Sequence, residues 1–262
     1  MARIIAATAN KGGVGKTSII TNLAGAITTK HRKYKVLIID TDSQGNASTA
    51  FNINAAALDY SLYDALTNEE TIERTIQHVF ERIDLLPANQ DMAAWEIKIL
   101  RSLKEQSPFS FLSPIINSLR NHYDYILIDT PPSLGLTTGN VLAAVEEIII
   151  PFTPETFAVQ GLIRVIEILK DFQKDINPNL KLSGIIGMMV DQRTTLHSEM
   201  LQEARKYSSI NSLPMLETII PRSIRFANST AYQGKPATLT DRNNPIVTAY
   251  FDLLNELEGD EL

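Results

Sequence analysis

Asn10-Lys11-Gly12-Gly13-Val14-Gly15-Lys16-Thr17-Ser18 lies between the apolar run Ile4-Ile5-Ala6-Ala7 and a helix-compatible segment over residues 18–28. A strand, a glycine-rich turn and a helix in that order form a phosphate cradle. Small glycines let successive backbone N–H groups converge on oxygen, and the helix N-terminus adds the positive end of its dipole. In such a loop Lys16 reaches the β- and γ-phosphates of a nucleotide and the Thr17 hydroxyl ligates Mg²⁺. Gly12, Gly13, Val14, Gly15 and Ser18 complete the cradle. Two positions depart from the pattern G-x-x-x-x-G-K-[ST]. Asn10 replaces the first glycine, and asparagine tolerates left-handed backbone angles better than most residues. Lys11 is an added lysine, which on a generic loop is a solvated surface charge.

Outward from the loop, apolar strands alternate with helical patterns, the mark of a parallel sheet covered by helices on both faces. Strands are expected over residues 3–8, 36–39, 84–87, 125–128, 147–151, 182–190 and 218–221. Helices are expected over 61–66, 72–80, 92–103, 111–121, 157–175, 197–207 and 245–257. The expected fold is α/β, a doubly wound, mostly parallel twisted sheet flanked by helices on both faces, of the P-loop NTPase type. No repeat, low-complexity stretch or linker interrupts the chain, so residues 1–262 read as one domain.

Carboxylates follow the apolar strands. Asp40 and Asp42 stand in Asp40-Thr41-Asp42-Ser43-Gln44-Gly45-Asn46, and Asp129 closes Tyr125-Ile126-Leu127-Ile128 before Thr130-Pro131-Pro132-Ser133. Ligand sites of open α/β sheets lie beyond the carboxyl ends of strands, so these groups fall near the phosphate loop. An acidic turn with Asp42 or Ser43 as a helix cap is the plain alternative at the first site. An Asp after four buried apolar residues is the Walker B arrangement, which holds Mg²⁺. Phosphate loop and carboxylates in this order point to Mg-ATP hydrolysis.

The box at residues 11–17, Lys-Gly-Gly-Val-Gly-Lys-Thr, resembles the deviant Walker A box of the ParA/MinD family of ATPases. Residues 40–46 resemble the family's second nucleotide motif, and Pro151 through Gly161 a further segment between a strand and its helix. The resemblance runs from residue 3 to about 250 and is nearest to the short ParA type. It implies an ATPase that is slow until a partner stimulates it. Lys11 then reaches the nucleotide of a second copy in an ATP-bound homodimer, and Lys11, Lys16 and Asp42 share the catalysis. Asp42 positions the attacking water, and Asp40 supports the Mg²⁺ shell held by Thr17 and Asp129. Loops carrying Met188, Pro221 and Arg222 border the adenine. Asp191-Gln192-Arg193-Thr194 and Ile220-Pro221-Arg222-Ser223-Ile224-Arg225 match forms whose arginines, here Arg193, Arg225 and more weakly Arg222, bind DNA without reading its sequence. The implied cofactors are ATP and Mg²⁺. The implied partners are a second copy, non-specific DNA and a ParB-like or ribbon-helix-helix centromere-binding protein. The implied role is plasmid or chromosome partition on the nucleoid.

Composition bounds these expectations. Hydrophobic content of 44% and charged content of 21% are ordinary for a soluble protein. The chain has no cysteine, so disulfides and thiolate metal sites are excluded. The first strand starts almost at once, leaving no room for a signal peptide, and the apolar runs are too short to span a bilayer. A cytoplasmic protein without membrane contact is expected. The net charge of −6 argues against a wholly nucleic-acid-binding surface, although part of the acidity sits in a tail with Glu256, Glu258, Asp260 and Glu261. A MinD-like membrane-cycling ATPase would need a basic amphipathic C-terminal helix, and this chain ends in acid. A cargo-positioning relative would use the same cycle. A dehydrogenase-type dinucleotide binder is disfavoured by Gly15-Lys16-Thr17 and Asp129. His31, His78, His122 and His197 have no metal-ligand spacing, and Trp95 reads as core.

Overall fold

The computed structural model describes residues 1–102 and 107–259. In chain order the elements are β1 (Arg3–Ala7), α1 (Lys16–Lys30), β2 (Val36–Asp40), α2 (Asn46–Ala50), α3 (Leu62–Leu66), α4 (Ile72–Thr75), β3 (Gln77–Phe80), β4 (Ile83–Leu86), α5 (Met92–Ser102) and α6 (Leu112–Leu119). There follow β5 (Tyr125–Asp129), α7 (Leu136–Ala144), β6 (Glu147–Phe152), α8 (Ala158–Asp175), β7 (Lys181–Val190), α9 (Thr195–Ile210) and β8 (Met215–Pro221). The chain closes with α10 (Ile224–Asn228), a π-turn (Ser229–Gln233), α11 (Ala237–Thr240) and α12 (Ala249–Glu258).

The strands form one eight-stranded sheet in the order β3-β4-β2-β5-β1-β6-β7-β8. Pairing is parallel except where β3 runs antiparallel to β4. Successive residues of a strand face opposite sides, and the core divides accordingly. Ile4, Leu37, Ile39, Ile126 and Ile128 pack with Trp95 and the buried sides of α6 and α8. Ile5, Val36, Ile38 and Leu127 pack with Ile19, Ile20, Leu23 and Ile27 of α1 and with α12. Every residue of β2 and β5 is buried, as expected of central strands covered on both faces. Connections from β1 and β6 diverge to opposite halves of the sheet. That divergence opens a crevice at the carboxyl end of β1, where the phosphate loop sits.

Most expected elements stand within a few residues of their expected bounds, and residue 103 of the expected helix 92–103 lies outside the described residues. The helix expected over 72–80 is a correction: α4 stops at Thr75, and Gln77–Phe80 is an edge strand paired with β4 across the Glu81-Arg82 turn. Packing against β4 overrides a helical spacing too short to be self-sustaining. Helix α7 was not expected because Thr137 through Leu142 are all buried, which erases the polar face that periodicity needs.

The acidic tail is also corrected in part. Glu256 accepts the backbone N–H groups of Glu217 and Thr218 at 2.7 and 3.0 Å. Glu258 accepts from Lys30 at 2.8 Å and from the Tyr125 hydroxyl at 2.7 Å. These carboxylates fasten α12 to the sheet, while Asp260 and Glu261 lie outside the described residues.

Candidate active site

Residues 8–15 leave β1 and turn into α1. Gly13 and Gly15 adopt φ of 73° and 92°, left-handed angles that cost a side chain but not glycine. A Cβ on Gly15 would lie 2.7 Å from the Met188 methyl, which would have to shift to admit it. The first turn of α1 has no side-chain cap, and its N–H groups face a cavity of about 480 Å³. Gly12, Gly13, Gly15, Lys16, Thr17, Ser18 and Asp42 line it, joined by Gln44, Asn46 and Pro132, which were not foreseen as site residues.

Strand register brings the acidic groups to this cavity. Ala7 pairs with Asp129, and Asp129 pairs with Asp40, so the ends of β1, β5 and β2 lie level. Thr17 donates its hydroxyl to Asp129 Oδ2 at 2.5 Å. The other oxygen, Asp129 Oδ1, is buried without a hydrogen-bond partner. Burial raises the Asp129 carboxyl to about 7, against the Thr17 hydrogen bond and the Lys16 ammonium, which pull it down. A buried carboxylate with an unsatisfied oxygen beside a hydroxyl is a hard-oxygen donor set of the kind that suits Mg²⁺. Among the described residues no cluster of three or more His, Cys, Asp or Glu side chains could hold a metal by itself.

Asp40 does a different job. Its Oδ1 accepts the Asp42 N–H and its Oδ2 the Ala47 N–H, each at 3.0 Å, so the group ties the loop and the start of α2 together. Full burial and the neighbouring Asp129 push its carboxyl upward. Asp42 lines the cavity with Oδ1 fixed by the Gln44 N–H at 3.0 Å. Thr41 and Thr130 brace the strand ends through the carbonyls of Asp129 and Ala7, at 2.7 and 2.8 Å.

Lys16 is buried, and its ammonium donates to the Lys11 carbonyl at 3.2 Å. Desolvation lowers its pKa, while Asp129 and Asp42 hold it up. The Lys11 side chain is exposed and donates to Glu155, just before α8. That bond, with Arg222 and His197 nearby, keeps the Glu155 carboxyl below the usual range. The Ser18 hydroxyl bonds the buried Tyr250 hydroxyl at 2.7 Å.

The remaining site residues of the sequence lie apart from the cavity. Met188 is buried beneath Gly15. Pro221 pairs with Val190 at the ends of β8 and β7, and the Arg222 N–H bonds the Val190 carbonyl at 3.0 Å. Arg193 is exposed and forks onto Asp191 at 2.9 and 2.8 Å, while Arg225 reaches Asp241 at 3.1 Å. Met188 and Pro221 lie in the last residues of β7 and β8, and Arg193, Arg222 and Arg225 follow those strands, at one margin of the sheet's carboxyl edge.

Residues 2–182 match the model of the family described as AAA domain. The sporulation initiation inhibitor protein Soj of Bacillus subtilis is 33% identical, with 98% of each chain covered. The chromosome partitioning protein ParA of Myxococcus xanthus is also 33% identical, over 97% of this chain and 87% of its own length. Among solved structures, cobyrinic acid a,c-diamide synthase from Mycobacterium smegmatis with bound ADP and magnesium superposes with a TM-score of 0.83. It is 28% identical and covers 98% of this chain and 96% of its own.

Proposed function

We propose that this chain, which belongs to the ParA/MinD family of P-loop ATPases, is a DNA-partition ATPase. In this reading Mg-ATP closes two copies into a sandwich dimer that holds DNA non-specifically. A centromere-bound partner, ParB-like or of the ribbon-helix-helix type, stimulates hydrolysis and thereby release from the nucleoid. The observation that carries the chemistry is the Thr17 hydroxyl on Asp129 at the floor of the glycine loop, with Asp129 Oδ1 unpartnered.

In this reading the N–H groups at the start of α1 and the Lys16 ammonium hold the phosphates, for which Lys16 exchanges its bond to the Lys11 carbonyl. Thr17 and Asp129 would hold Mg²⁺, which when bound would neutralise phosphate charge. Asp42 orients the attacking water, and its fixed oxygen suits positioning better than strong base catalysis. Asp40 supports the metal site indirectly by holding the loop of Asp42. Lys11 serves the second copy once it leaves Glu155. Met188, Pro221 and Arg222 border the base.

DNA binding falls to Arg193, Arg225 and Arg222 at the β7 and β8 edge. The ion pairs that now hold Arg193 and Arg225 are solvent-facing, so phosphates compete for them readily. A membrane cycle is disfavoured because Tyr250, Leu253, Leu254 and Leu257 of α12 are buried in the core, which leaves that helix no apolar face for lipid. No helix among the described residues is long and apolar enough to cross a membrane.

Duplex binding measured with ATP, with ADP and without nucleotide tests the reading. Binding should require ATP, fall steeply between about 50 and 200 mM salt, and weaken in Arg225→Ala. Equal binding with and without ATP would refute the switch.

A further inference from the structure

Phe157 is the residue before α8, and it combines two unfavourable properties. Its backbone is left-handed, with φ of 65°, a region that aromatic side chains rarely occupy. Its side chain is also 76% exposed, so packing within the chain does little to offset that strain. Strained residues persist where function keeps them.

Its surroundings indicate what the ring meets. Beside it opens a hollow of about 350 Å³ walled by the apolar side chains of Val14, Ile150, Phe152, Leu162 and Val165. Thr153, also in its wall, is buried with a hydroxyl that has no partner. The hollow is continuous with the phosphate loop: Asn10 and Lys11 line it, and a Cβ on Gly161 of α8 would sit 3.2 Å from Asn10 Oδ1. Lys11 and Glu155 stand at this face as one cation and one anion. A patch that carries an apolar knob, an apolar hollow and both signs of charge is complementary to itself, as a two-fold contact between identical chains requires.

We infer that Phe157 anchors the contact between two copies of this chain, each ring seated in the hollow of the other. This rests on the ATP-dependent dimer proposed above and names the residue that holds it. The left-handed turn aims the ring outward for the second copy, and closing of the two faces parts Lys11 from Glu155.

The test is sedimentation of the full chain with Mg²⁺ and a non-hydrolysable ATP analogue, for wild type, Phe157→Ala and Phe157→Gly. A central aromatic anchor predicts a dimer weakened ~30-fold or more in both variants, with nucleotide binding by the monomer unchanged. Phe157→Gly accepts the backbone angle, so its melting temperature without nucleotide should be at least that of wild type. Dimerisation of both variants at wild-type strength overturns the inference and leaves the dimer reading standing. A wild-type chain that stays monomeric with the analogue overturns both. A lowered melting temperature for Phe157→Gly overturns the inference, since the ring would then serve its own fold. A photoreactive benzoylphenylalanine at 157 should cross-link to residues 150–165 of the other copy; cross-links elsewhere refute the seating.

Discussion

Glu96, on α5, offers a quantitative probe of how the Asp129 loop is held. Helix α7 begins after that loop with no side-chain cap from its own N-cap residue, Gly135. Glu96 Oε1 takes over, accepting the Thr137 N–H at 2.9 Å and the Thr137 hydroxyl at 2.8 Å. Loss of an N-cap bond costs about 1 kcal/mol, and loss of a carboxylate at a helix N-terminus about 0.3–1 kcal/mol more. Glu96→Ala should therefore destabilise the nucleotide-free chain by roughly 1.5–2 kcal/mol, which for a chain of this size is a fall in Tm of about 3–6 °C. Glu96→Gln keeps an acceptor and loses only the charge, so about 0.5 kcal/mol is expected. Urea unfolding at neutral pH measures both. Because Pro132 in the loop before α7 lines the phosphate cavity, Glu96→Ala should also lower kcat several-fold at saturating Mg-ATP while leaving nucleotide affinity nearly unchanged. A Glu96→Gln loss equal to that of Glu96→Ala, or a Glu96→Ala loss under about 0.5 kcal/mol, would refute the capping argument.

Asp129→Asn should stabilise the nucleotide-free chain near pH 7.5. The folded carboxyl sits at about 7 against an ordinary 3.8, so the native state holds a proton that the unfolded state has lost, and stability falls as pH rises through that window. The gain, on the order of a few kcal/mol, should shrink towards pH 4 while Mg²⁺-dependent ATP binding is lost; a pH-independent difference in Tm would contradict this. Asp42→Ala should retain ATP binding and dimerisation but abolish turnover, and retained turnover would remove Asp42 from the mechanism. Gly15→Ala, with φ of 92° and a methyl 2.7 Å from Met188, should lose nucleotide binding in a filter or fluorescence assay. Arg3→Ala removes two bonds to the largely buried Glu147, at 2.9 and 2.8 Å, and leaves it the Ser183 hydroxyl and Lys181, costing about 1–2 kcal/mol in urea melts. Its ATP binding should persist, because Arg3 lies at the opposite end of β1 from the phosphate loop.

The chain's order of strands, phosphate loop and acidic strand ends was legible without coordinates because each is a local pattern. A continuous apolar run means a central strand, glycine before Lys16 and Thr17 means a phosphate loop, and Asp40 and Asp129, each directly after such a run, mark the carboxyl edge. Backbone sterics and solvent exclusion write these rules into neighbouring residues. What tertiary structure decided depends on partners distant in sequence. Residues 72–80 are spaced like one helix, yet only 72–75 are helical, and 77–80 are strand because β4 offers backbone pairing. Glu256 and Glu258 read as tail charges until the sheet and α1 supply their donors. Asp40 and Asp42 are alike in sequence, and only the fold gives one to backbone N–H groups and the other to the cavity. The same holds at the opening loop. Its sequence identifies a phosphate site, but the register of β1, β5 and β2 sets Thr17 against Asp129 and leaves one buried oxygen unpaired. Hydrogen bonding and burial across more than a hundred residues are properties of the folded chain, and no local pattern carries them.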